Sequence, residues 1–178
     1  RHPTMPSKDA LRELQLRLAS RLQAARERPR ESGWLAVECA QVGLLLPLAQ
    51  AGEIHAARQV APVPHGKPWM LGVANLRGQL NAVVDLGQFL HLRPAAAGAI
   101  RSGAQLVMLN PSLRLNAAIL VDRLAGLRDS DQLERMAADG HVRPGFAGSR
   151  WRDRQGREWQ ELDLAALAQD PQFLDVAA

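Results

Sequence analysis

A single cysteine, Cys39, in 178 residues leaves no internal disulfide available. The fold must rest on a core, and the expected compartment is a reducing one, the cytoplasm. Long apolar runs are also missing. The longest, Val42 to Ala49, has the length of a strand and is broken by Pro47. A membrane helix needs roughly 18 apolar residues in a row, so no direct membrane insertion is expected. The first leucine-rich stretch is studded with arginines, which does not fit a signal peptide. Motifs of catalysis are lacking: there is no Walker loop, no G-x-G-x-x-G, no G-x-S-x-G and no H-E-x-x-H. His2, His55, His65, His91 and His141 are scattered, without ligand spacing. Catalytic, cofactor-binding and metal-binding residues are all expected to be none.

An excess of charge of one sign is lacking outside the first thirty residues. Positions 1–30 hold eight basic and three acidic groups, a net of +5, so the total of +4 leaves −1 for the rest. By charge the body is not a polyanion binder. At 47% hydrophobic residues, it has enough apolar material for one compact domain or two small ones sharing a core.

What is there begins with Trp69 to Leu86, WMLGVANLRGQLNAVVDL. The segments Met70–Leu76 and Leu80–Val84 predict a β-hairpin around Arg77-Gly78-Gln79. Asp85 then stands before Leu86, Phe89 and Leu90, the position and spacing of a helix N-cap. The rest of the chain arranges itself around this unit. From Asp9 to Arg28, Leu11, Leu14, Leu18, Leu22 and Ala25 recur at three and four, an amphipathic helix capped by Ser7 or Asp9 and ended by Pro29 and Gly33. Its leucine stripe packs on the body, binds a partner or lies on a membrane surface; the lack of an aromatic on that face speaks against the last. Residues 1–8 read as loose. Leu35–Ala40 and Val42–Leu48 predict a second hairpin, Glu53–Ala57 a further strand, and the prolines of Gln59–Pro68 a loop. After a connector at Ala95–Gly103, Leu106–Asn110 and Leu115–Val121 predict a hairpin that Leu124–Leu127 extends. Ser130–Ala138 is read as a helical turn with Leu133 and Met136 inward, and Gly140–Gly148 as a loop. Trp151–Trp159 is a polar hairpin around Gln155-Gly156-Arg157, and Asp163 caps a short helix with Leu164 and Leu167 that ends near Pro171.

The same interval separates Gly78 from Asp85 and Gly156 from Asp163, and each aspartate precedes a short leucine-containing helix. A repeat of roughly 70–80 residues built of short strands points to two small barrels side by side. The domain boundaries that follow are 1–32 for an extension and 33–178 for the body, with pseudo-repeats at 33–95 and 104–170. Asp85 and Asp163 read as equivalent caps rather than as an acid/base pair. Cys39 reads as a small buried thiol.

Two surfaces offer themselves for binding. Arg77, flanked by Asn75 and Gln79 on a stiff turn, suits a partner's carboxylates or carbonyls, or is a solvated turn residue. Arg150, Arg152, Arg154 and Arg157 beside Trp151 and Trp159 suggest the rival class, a nucleic-acid-binding small β-barrel using the basic N-terminal helix and the arginines of 150–157. Asp153, Glu158 and Glu161 dilute that charge.

GVANLRGQLNAVVDL resembles the signature of CheW-like chemotaxis coupling proteins. WLAVECAQVGLLLPLAQAGEI is similar to the family's opening hairpin and third strand, and AQLVMLNPSLRLNAAILVDRLAGL to its later hairpin. The N-terminal helix and divergent tail resemble the branch serving type IV pilus (twitching) signalling. The resemblance implies a mainly β fold of two intertwined SH3-like five-stranded β-barrels with short helices. It implies no enzyme, no cofactor and no nucleic acid, but an adaptor between the cytoplasmic tip of methyl-accepting chemoreceptors and the regulatory domain of a CheA-type histidine kinase. Arg77 matches the arginine that matters for coupling. Asn75, Leu76 and Gly78 belong to the same motif, and Glu53 and Ile54 to a strand at the protein–protein surfaces. Arg123 departs from the glycine frequent after Val-Asp, and Leu44–Leu46 replace the usual aromatic.

Overall fold

The computed structural model describes residues 8–27, 33–58, 60–94 and 100–175. The looseness of 1–7, the cap at Ser7, the helix stop at Pro29 and most of the connector after Pro94 lie outside these residues. The chain divides into two units, Arg1–Glu31 and Ser32–Ala178. The described part of the first is one helix, α1 (Lys8–Glu27), with an Arg17–Glu13 ion pair one turn apart at 2.8 Å.

The second unit is mainly β, in two sheets. Its strands are β1 (Gly33–Cys39), β2 (Val42–Pro47), β3 (Ala51–Ala56), β4 (Met70–Leu76), β5 (Gln79–Asp85), β6 (Gln105–Leu109), β7 (Ala117–Val121), β8 (Arg123–Asp129), β9 (Leu133–Arg135), β10 (Ala147–Asp153) and β11 (Glu158–Leu162). Three four-residue helices complete it: α2 (Leu86–Phe89), α3 (Leu164–Leu167) and α4 (Pro171–Leu174). One sheet runs β8-β1-β2-β11-β10-β9 and the other β3-β6-β7-β5-β4.

The sheets interlock the two repeats. Each sheet takes a hairpin from one half (β1–β2 or β6–β7) and further strands from the other, four in the first sheet (β8 to β11) and three in the second (β3 to β5). In each, the strand leading to a capping aspartate lies parallel to the hairpin's second strand: β5 on β7, and β11 on β2. Strand membership therefore cuts across the expected halves 33–95 and 104–170. Asp85 accepts a hydrogen bond from the Gln88 N–H and Asp163 one from the Ala166 N–H, so both are the N-caps their spacing predicted.

Strand alternation sorts the core into three parts. Trp34 and Ala36 of β1 face a cluster inside their own sheet with Leu45, Leu133 and Trp159. Leu35, Val37 and Cys39 face the opposite way, into the large core between the sheets with Ile119, Phe89 and Leu164. A third cluster, around Leu76, Val83, Leu106 and Leu120, fills the second sheet. A strand buried on both faces reads as an unbroken apolar run, which is why β1 shows no polar alternation.

Two expectations fail. Ser130–Ala138 is not helical: a single 3-10 turn at Ser130–Gln132 leads into β9, which pairs with β10 and makes the first sheet six-stranded rather than five. Only Leu133 there is buried, so period-2 pairing prevails over a helical stripe too short to hold. Leu124–Leu127 does not extend the β6–β7 hairpin but crosses to pair with β1. Pro171 stands at the start of α4, behind the Asp170 cap, where its missing N–H costs nothing.

Candidate docking site at the hairpin tip

Leu76 pairs with Gln79, leaving Arg77 and Gly78 as a two-residue turn with φ of 53° and 75°. Both values are positive, the signature of a type I′ turn, whose twist matches that of the flanking strands. Glycine takes this conformation freely, whereas Arg77 holds it at a cost of about 1 kcal/mol. Leu76 is buried and supports the turn from below rather than offering a contact; Asn75, Gly78, Gln79 and Leu80 are exposed.

The guanidinium is not left projecting. Arg77 Nε lies 2.8 Å from Glu53 Oε2, and His55 Nε2 is 3.3 Å from the same oxygen. Glu53 sits on β3 and Arg77 at the end of β4, the two edges of one sheet. The edges meet because the sheet curls: Ala61, beyond β3, exchanges backbone hydrogen bonds of 2.8 and 2.9 Å with Val73. The motif's Gly72 permits this closure. Its φ is 144°, and a Cβ there would lie 2.0 Å from the Ala61 carbonyl oxygen. The Arg77 and Glu53 side chains remain 74% and 42% exposed. Ile54 and Leu80 add exposed apolar surface nearby in sequence on β3 and β5. Of the sequence-predicted residues, then, Arg77, Gly78, Glu53 and Asn75 stand at the surface, Glu53 and Arg77 in contact.

Behind the α2 cap lies a charge cluster that no motif announced. Arg93 Nη2 is 2.7 Å from Asp122 Oδ1 and 3.7 Å from Asp85 Oδ1, with the Arg93 side chain only 8% exposed. Asp122 Oδ2 accepts the Ala40 N–H at 2.7 Å. This ties the β1–β2 turn to the helix after β5. At α3 the counterpart is neutral: Gln50 donates to Asp163 at 3.0 Å and accepts the Leu164 N–H at 2.7 Å. Cys39 is fully buried, and burial, helped by the charge of Asp122, pushes its thiol up to about 12. Asp85 and Asp163 thus each cap a helix and hold one further partner, Arg93 and Gln50 respectively.

Fold and site define a mainly β protein of two sheets, with an exposed, ion-paired hairpin tip at the edge of one of them. The chain belongs to the CheW-like domain family, whose pattern matches residues 33–172. It is similar to protein PilI of Pseudomonas aeruginosa, 28% identical over 167 residues, covering 90% of this chain and 89% of that protein. Its fold is similar to the crystal structure of the scaffolding protein TtCheW from Thermoanaerobacter tengcongensis, with a TM-score of 0.61 at 14% identity over 74% of this chain and 88% of that one.

Proposed function

We propose that this protein is a non-catalytic adaptor that couples the cytoplasmic tip of chemoreceptors to the regulatory domain of a CheA-type histidine kinase, in a type IV pilus signalling pathway. Membership of the CheW-like family supports the adaptor role, and the near full-length similarity to PilI supports the pilus branch. Each curled sheet is read as one barrel of an SH3-like pair, with 33–95 and 104–170 as the duplicated units. Among the described residues no helix is long and apolar enough to cross a membrane, in keeping with a role in the cytoplasm.

One observation carries the reading: the Arg77–Glu53 pair is held on a rigid turn yet lies in solvent. An exposed ion pair is worth about 0–1 kcal/mol, so exchanging Glu53 for a partner's carboxylate or carbonyl costs little. Ile54 and Leu80 supply apolar anchors for such a face. Asn75 adds a donor and acceptor beside them. The test is co-sedimentation with the cognate kinase and receptor tip. Ternary assembly is expected from the wild type, and binding to neither partner would contradict the proposal.

A further inference from the structure

The duplication lets the two sheets be compared position by position. Val83, two residues before the Asp85 cap, lies opposite Ala118, and Glu161, two before the Asp163 cap, lies opposite Leu45. Ala118 pairs with Met108 and Leu45 with Ala36, which makes Val107 the equivalent of Leu35. Ile54 stands opposite Val107, and Leu127 opposite Leu35. The residue before Ile54 is Glu53, the carboxylate that pairs with the tip arginine. The residue before Leu127 is Gly126. In the first sheet, therefore, the acid that closes the second is replaced by a glycine.

The acids Glu38 and Asp153 on that side already have hydrogen-bond partners, and Asp153 also feels the charge of Arg128. Glu38 takes Arg123 through two hydrogen bonds of 2.6 and 3.0 Å and Arg157 through a third. Asp153 accepts the N–H groups of Gln155, Arg157 and the Trp159 indole, at 3.0, 2.9 and 3.1 Å. Among the described residues neither Arg128 nor Arg154 meets a carboxylate within 4 Å. Both line one open cavity of about 220 Å³, with Gln132, Asp153 and Gln155.

We propose that a partner supplies the missing acid: the cavity between β8 and the β10–β11 tip is a docking site for a glutamate or aspartate side chain of an acidic protein segment, held between Arg128 and Arg154. Charge-assisted hydrogen bonds to a guanidinium are the strong class, and arginine's fork matches a carboxylate. A nucleic acid fits poorly. Trp159 is buried and carries the Arg157 guanidinium 4.5 Å and the Arg128 guanidinium 5.5 Å from its ring centre. Trp151 packs on Trp34 with ring centres 5.0 Å apart. Among the described residues of this region, both tryptophans already have a ring or guanidinium partner, which leaves little for a base to stack on. Glu38, Asp153 and Glu158 repel a run of phosphates.

The site is separate from the Arg77 face, so its failure leaves the coupling proposal standing. The test uses the full chain and a fluorescein-labelled peptide of alternating glutamate and leucine, read by anisotropy and by the tryptophan indole N–H signals in NMR. The peptide is expected to bind saturably and to shift the Trp159 signal while leaving Trp69 in place. Arg154→Glu, an exposed change compatible with folding, should weaken binding about tenfold or more. Arg77→Ala should leave it unchanged. Failure of the peptide to bind, an Arg154→Glu variant that binds like wild type, or displacement of the peptide by oligothymidylate would overturn the proposal.

Discussion

Arg77 joins a strained backbone to an exposed charge, and the two are separable by substitution. Arg77→Ala removes a solvated ion pair and should lower stability by no more than about 1 kcal/mol. Arg77→Gly removes the same guanidinium but relieves the left-handed strain, so it should melt at or above Arg77→Ala when both are followed by circular dichroism. Cys39 tests the core in the same way. A fully buried thiol pushed up to about 12 should resist a thiol reagent at about pH 8 until denaturant is added. At this scale the sequence was informative where chemistry is local. The arginine in a Gly turn and both aspartate caps were readable from neighbours a few residues away. The Glu53–Arg77 contact was not, because it depends on how a sheet curls. Nor was Arg93, whose partners are Asp85 at the end of β5 and Asp122 between β7 and β8.

Among elements, the edge contact of β4 with the segment after β3 holds the tip in place. Gly72→Ala drives a methyl group into the Ala61 carbonyl and forces φ out of the left-handed region, so closure must open. The expected loss is about 2 kcal/mol or more in urea denaturation, well above that of Arg77→Ala. Arg93→Ala leaves Asp85 and Asp122 without their buried counterion, for an expected loss of about 3 kcal/mol or more by the same measurement. Hairpins with their turns between apolar segments were legible as elements. The segment around Leu133 was not, because a three-residue edge strand and a helical turn place the same leucine inward. The destination of β8 was equally hidden: its residues alternate alike whether they extend β7 or cross to β1.

At the scale of the whole molecule, the matched Gly-to-Asp spacing pointed to the two helix caps, but which strands share a sheet was not legible. Spacing records that units recur, and pairing partners are chosen by long-range packing. Ser32–Ala178 is one compact unit, and its acid response can be signed. Arg123, by hydrogen bonding, holds the Glu38 carboxyl below its ordinary 4.5, with Arg157 helping against burial. Asp153 is held below 3.8: burial opposes this, but the Trp159 indole and two backbone N–H groups prevail. Groups depressed in the folded state contribute stability that is complete above their unfolded values and lost as pH falls through the folded ones. The urea midpoint should therefore stay level from about pH 7 down to about pH 5 and then decline. Coupling requires docking through the hairpin tip, and isothermal titration of the kinase regulatory domain into wild type and Arg77→Ala measures it. Saturable binding by the wild type, lost in a variant of matched melting temperature, is the predicted result; equal affinities for the two proteins would contradict it.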